Sequence, residues 1–310
     1  MNDLDGREIS EIIERVRRRV AAAGDGRPGA GLRAEAELSA AASAELGDGI
    51  HATIDEAVAA ATQAFQAFGA QGLAGRKVII DAVRRTMLDH AEQLARMAHQ
   101  ETRIGRAEDK VVKNRLVASK APGPEDLEVQ AVTGDAGMMV TEFAPFGVVA
   151  SITPVTNPTS TIINNTISIV SAGNAVVFNA HPGAKRCSAE TIRLINRAIV
   201  AAGGPPDLVT GVANPTIDTA RALMSHPGVR VLLVTGGPAV VREALRTDKR
   251  AITAGPGNPP AVVDTTADVE RAARDIVRGA SFDNNLVCID EKVVLVVDSV
   301  ADRLIRAMTQ

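Results

Sequence analysis

The sequence predicts an α/β protein, a Rossmann-like parallel sheet with helices on both faces, and three observations lead to that fold class. From residue 147 to 233, short aliphatic runs alternate with helical stretches, an order that builds a parallel sheet covered on both sides. The chain has 310 residues and is 45% apolar, enough for a sizeable core and, at ~100–200 residues each, for about two domains. With six Phe and no Trp or Tyr, that core must rest on Ala, Val, Ile and Leu.

The elements follow in chain order. Residues 7–23 align Ile9, Ile12, Ile13, Val16 and Val20 along one helical face, with charge opposite. Residues 24–33 are a Gly/Pro-rich linker, so the helix is a tethered one. Short helices are marginal alone; this one orders against a partner groove or docks on its own domain. The run Thr53-Ile54-Asp55-Glu56 is a capping box that opens a helix carrying Phe65 and Phe68. Residues 75–100 predict a second long helix with Val78, Ile79, Val83, Met87, Leu94 and Met97 as its apolar stripe. A further helical run through Asp109, Lys110, Lys113 and Asn114 is broken by Pro122-Gly123-Pro124. Gly134-Asp135-Ala136-Gly137 between β-prone runs predicts a hairpin near 131–142.

Strands are then expected at 148–153, 175–179, 208–212 and 231–235, with helices at about 160–171, 184–202, 216–226 and 238–246. Ligands of open parallel sheets bind at the carboxyl ends of the strands. The segments to watch are therefore 153–158, 179–182 and 235–237.

Composition excludes several classes of function. A formal net charge of -3 and the near absence of aromatic platforms argue against nucleic acid. No apolar stretch is long enough to span a bilayer, and Asp3, Asp5, Glu8, Glu11 and Glu14 offset the arginines that a membrane-binding or mitochondrial-targeting helix would carry. The histidines form no metal-ligand spacing, and Walker A, GxSxG and full GxGxxG patterns are missing. Cys187 and Cys288 lack CxxC spacing, and no secretory leader is evident, which fits a reducing, intracellular setting.

Three constellations can carry chemistry. Cys288 ends the run Ser-Phe-Asp-Asn-Asn-Leu-Val-Cys, and a cysteine is either a small buried hydrophobe or, once ionised, a nucleophile. Asn157 sits between two prolines in Thr153-Pro154-Val155-Thr156-Asn157-Pro158, where its amide can serve a turn or donate to an oxyanion. Thr235-Gly236-Gly237-Pro238 follows a strand and opens a helix, as an ordinary tight turn or as a phosphate cradle does.

Taken together, these motifs resemble the aldehyde dehydrogenase superfamily, in its CoA-acylating branch of bacterial microcompartments. The similarity runs from about residue 50 to the end. It is carried by residues 101–110 with Lys113-Asn114, by 153–158, 172–178, His181-Pro182, 235–237, 254–260 and 281–292. The resemblance implies that Cys288 is the nucleophile and Asn157 the side-chain oxyanion donor, joined by the Cys288 N–H. It assigns NAD to Thr235, Gly236 and Gly237, to Thr153 and Pro154, to Asn179, His181 and Pro182, and to Thr253 and Gly255.

In hydrolytic members the position of Thr253 holds a glutamate that activates water. Threonine is no general base near neutrality, so the resemblance implies coenzyme A as the acyl acceptor and acetaldehyde or propionaldehyde as substrate. It also implies a location inside a microcompartment, with residues 7–23 meeting a shell protein, and a homo-oligomer for a full-length member. The domains expected are a targeting helix at 1–23, a linker at 24–33, an NAD-binding domain at 34–252, and the start of a catalytic domain at 253–310. Family members continue past the cysteine, so that last domain is expected to be incomplete. A strand at 293–297 and a helix at 301–308 would be its last elements here. Two other functions compete: a hydrolytic aldehyde dehydrogenase giving free acid, and an inactive truncated cargo or interaction protein.

Overall fold

The structure is a computed structural model that describes residues 46–309. The helix expected over 7–23 and the linker 24–33 lie outside the described residues. A two-residue strand, β1 (Ile50–His51), precedes α1 (Ile54–Phe68). The capping box forms as expected: Thr53 Oγ1 accepts from the Glu56 N–H, while the Glu56 carboxylate accepts from the Thr53 N–H.

The single long helix expected over 75–100 is two, α2 (Leu73–Asp89) and α3 (Ala91–Thr102), parted at His90 (φ -96, ψ 7). No Gly or Pro marks the break. The apolar stripe is also rotated: Val78 is 57% exposed, and Ile80 is buried beside Ile79, Val83 and Met87. Next come α4 (Ala107–Lys120) and a hairpin of β2 (Gln130–Gly134) and β3 (Gly137–Thr141), closed by Asp135-Ala136. Every hairpin residue is exposed.

The parallel sheet follows: β4 (Val148–Ile152), α5 (Pro158–Ser171), β5 (Ala175–Asn179), α6 (Lys185–Ala201), β6 (Val209–Val212), α7 (Ile217–Ser225), β7 (Val229–Thr235), α8 (Pro238–Leu245) and β8 (Arg250–Ala254). Its six strands run in the order β1-β6-β5-β4-β7-β8, all parallel. β4 and β5 are buried at every position, as central strands covered on both faces must be. The order reverses direction around β4, and such switch points open a crevice at the carboxyl ends of the strands. The boundary expected at 252/253 falls inside β8, since the sheet continues to Ala254.

Beyond the sheet, β9 (Pro260–Val263), α9 (Val269–Ser281), β10 (Val293–Val296) and α10 (Asp298–Met308) make a βαβ unit with a parallel strand pair. Val263, Val269, Ala273, Ile276 and Leu304 form its own small core. No helix among the described residues is long and apolar enough to cross a membrane.

Candidate active site

A cavity of about 680 Å³ opens at the carboxyl ends of β4, β5, β7 and β8. Cys288, Asn157, Thr153, Pro154 and Asn179 line it, as do His181, Pro182, Thr235, Gly236, Gly237 and Gly255. The structure thus brings together every residue singled out from the sequence except Thr253, which sits half-buried on β8 outside the lining. The lining continues instead through Pro256 and Gly257.

Asn157 is the residue before the first turn of α5, with Pro158 opening the helix where a missing N–H costs nothing. Its Oδ1 accepts from Lys113 Nζ at 2.5 Å, and its Nδ2 donates to Thr156 Oγ1 at 3.1 Å. A lysine ammonium only donates, so this contact fixes which end of the amide is oxygen. One N–H of the Asn157 amide is left for a ligand.

Cys288 rides on a loop of unusual backbone. After α9 the chain turns through Asp283, Asn284 and Asn285 at φ 44, 58 and 59. Asp and Asn are the non-glycine residues that best tolerate this left-handed region, so Asp-Asn-Asn encodes the turn. Asp283 is fully buried, and its carboxylate accepts from Lys113 Nζ, from Lys110 Nζ at 3.0 Å and from the Arg106 N–H at 2.7 Å. Its own N–H donates to Asp109 Oδ2 at 2.8 Å. Burial pushes the Asp283 carboxyl up, but the bonds from Lys113 and Arg106 outweigh it and hold the group below the usual carboxylate range. Burial draws the Lys113 ammonium down, and the charge of Lys110 adds to that pull.

On the other side of the loop, Lys292 Nζ donates to Asn285 Oδ1 at 2.6 Å and to the carbonyls of Asn285 and Val287 at 3.2 and 3.1 Å. Asp290, whose carboxyl burial pushes up, accepts from the Val287 N–H at 3.2 Å. Cys288 itself is half-exposed and faces the cavity.

The residues at the far end of the cavity fit a dinucleotide. Thr153 Oγ1 is buried without a hydrogen-bond partner, so the wall holds an unanswered hydroxyl. The lining contains no Asp or Glu, so a pyrophosphate meets no like charge. At Gly237, which precedes α8, a methyl group added to the backbone would meet nothing within 4 Å, so the turn is open there, while the Gly236 N–H is engaged with the Ala254 carbonyl at 3.1 Å. Asn179 is held by the fold: Nδ2 donates to the Thr216 carbonyl at 3.3 Å, and Oδ1 accepts from Thr219 Oγ1 at 2.7 Å. His181 Nδ1 accepts from the Gly183 N–H at 3.1 Å and caps a short turn through Pro182.

In the sequence Asp283, Gly257, Lys292, Lys110 and Lys113 stand inside the motifs that carry the resemblance, but none of them has a role there. Only the Asp-Asn-Asn run carried a local signal of its turn.

The aldehyde dehydrogenase family model matches residues 37–310. The chain is 54% identical over 261 residues to the acetylating acetaldehyde dehydrogenase EutE of Salmonella typhimurium, covering 84% of this chain and 56% of that protein. It is 46% identical to a CoA-propanoylating propanal dehydrogenase of Citrobacter freundii, over 88% of this chain and 59% of that one. Among solved structures, the propionaldehyde dehydrogenase of Rhodopseudomonas palustris with bound CoA and an acylated cysteine superposes with a TM-score of 0.82 at 47% identity, over 85% of this chain and 61% of that one. A propionaldehyde dehydrogenase of the Clostridium phytofermentans fucose utilisation bacterial microcompartment gives a TM-score of 0.82 at 45% identity, over 84% and 60%. The chain therefore spans little more than half the length of the curated relatives it matches. A cysteine on a pinned loop, an oriented amide and a glycine turn meeting in one crevice belong with that family match across the described residues, and the chain is a member of the aldehyde dehydrogenase family.

Proposed function

We propose that this protein oxidises a short-chain aldehyde, acetaldehyde or propionaldehyde, to its acyl-CoA with NAD and coenzyme A. One observation carries the proposal: Cys288 and Asn157 share a cavity with the Thr235-Gly236-Gly237 turn, and no Asp or Glu lines it. A nucleophile and an oxyanion donor are at hand, whereas a general base to activate water is missing from the described lining.

The Cys288 thiolate attacks the aldehyde carbon, and the free N–H of Asn157 meets the oxyanion that forms. The dinucleotide supplies, when bound, the acceptor for the hydride that leaves this adduct. Thr153 Oγ1 and the open turn at Gly237 offer groups to hold it. A thioester then remains on Cys288. The CoA thiolate attacks that thioester carbon, the Cys288–acyl bond breaks, and acyl-CoA departs with the Cys288 thiolate restored. The relative with bound CoA and an acylated cysteine supports this order of events.

Residence inside a microcompartment, with residues 7–23 meeting a shell protein, is proposed by similarity to the fucose utilisation enzyme. A homo-oligomer is proposed for a full-length member. Deleting residues 1–23 should abolish encapsulation.

The test is intact-protein mass spectrometry after propionaldehyde and NAD. A propionyl adduct on Cys288 that disappears on adding CoA, with propionyl-CoA formed, is expected. Free propionate released at the same rate without CoA overturns the proposal.

A further inference from the structure

Asn157 and the loop of Cys288 come from distant parts of the chain, yet one side chain touches both. Lys113 Nζ, on α4, donates to Asn157 Oδ1 at 2.5 Å and to the Asp283 carboxylate. Lys113 is 8% exposed and Asp283 0%, so the bond between them is shielded from water. Lys110, one turn earlier on α4, repeats the bridge, donating to the Thr156 carbonyl at 3.3 Å and to Asp283 at 3.0 Å. Asp283 in turn locks the left-handed turn that leads to Cys288.

We propose that Lys113 is a positioning residue for acylation, which sets the Asn157 amide and the Cys288 loop in one register through its simultaneous bonds to Asn157 and Asp283. It touches neither the substrate nor the reacting atoms. Its effect passes through the direction of the Asn157 amide. With Oδ1 held by an ammonium, the NH2 end is turned toward the cavity before any oxyanion forms. Without Lys113 the amide is free to flip and present its oxygen, which repels the developing charge. The role rests on the acylation chemistry proposed above.

A double-mutant cycle tests it, with Lys113→Met and Asn157→Ala in the full chain. The readout is the single-turnover rate of acyl-adduct formation on Cys288. Lys113→Met leaves Asp283 its bonds to Lys110 and the Arg106 N–H, so no carboxylate is stranded. Lys113→Gln, which keeps a donor, serves as a second single variant. Lys113→Met and Asn157→Ala should each slow acylation by about 10²-fold, the usual loss for an oxyanion donor, and Lys113→Gln should recover part of that rate, with dinucleotide affinity unchanged in all three. The double variant should fall no more than about threefold below Asn157→Ala alone, because coupled groups are not additive.

Losses that multiply, or weakened dinucleotide binding in parallel with the rate, make Lys113 a purely structural residue and overturn the proposal. A wild-type chain that forms no adduct at all overturns the proposed function and this role with it. Wild-type acylation with an additive cycle overturns this role alone.

Discussion

Gly257 and Cys288 meet backbone to backbone. A methyl group added at residue 257 would overlap the carbonyl oxygen of Cys288 and stand 3.0 Å from its carbonyl carbon. The loop after β8 therefore braces the nucleophile from one side while Asp283 and Lys292 hold its own loop from the other.

Gly257→Ala should displace the Cys288 backbone and lower the acylation rate by about 10²-fold, the effect of a misplacement near 1 Å. Gly72→Ala, where an added methyl meets nothing within 4 Å, should leave the rate alone. Stopped-flow measurement of the first turnover decides it; equal rates for the two variants contradict the bracing role.

The two cysteines should differ sharply toward iodoacetamide. Cys187 is fully buried, with its N–H and that of Arg186 bonded to the Glu101 carboxylate at 2.8 and 2.9 Å. Burial, reinforced by the charge of Glu101, pushes the Cys187 thiol well up, so it stays protonated and unreactive. Peptide mapping after labelling at pH 8 should find the adduct at Cys288, and comparable labelling of Cys187 refutes this.

Asp283→Asn removes the charge that two buried lysines share, and losing one partner of such a pair costs about 3–5 kcal/mol. The folded carboxyl is held below its unfolded value, near 3.9 for Asp, so its contribution is present above that value and is lost as pH falls through the folded one. Urea unfolding should show the full difference between wild type and variant at pH 7, narrowing below about pH 4. A difference independent of pH rules out an ionised Asp283.

Thr253→Glu places a carboxylate on β8 two residues before Gly255, which lines the cavity. With a general base supplied, hydrolysis of the acyl-enzyme should rise by about 10²-fold or more. Chromatography of the products should show free acid gaining on acyl-CoA. An unchanged ratio means that this position does not govern the choice of acceptor.

The sequence by itself determined the sheet from β4 to β7, the capping box at Thr53, the hairpin and the segments 153–158, 179–182 and 235–237 that reach the crevice. Each is written in neighbouring residues: aliphatic runs for buried strands, a Thr and a Glu three apart for a helix start, Thr-Gly-Gly after a strand for an open turn. β1 was too short to register, and the break at His90 has no Gly or Pro to announce it. Val78 fell on the wrong face because the stripe that α2 buries runs through Ile79, Ile80, Val83 and Met87, which leaves Val78 on the exposed side of the same helix.

Only the tertiary structure decided how Asn157 and Cys288 are held. Lys113 lies 44 residues before Asn157 and 170 before Asp283, and a lysine on a helix reads as a solvated charge until the partner that neutralises it is known. Periodicity and motif spacing act over a few residues, whereas burying three charges together depends on which segments the sheet brings into contact, and that is a property of the packed chain.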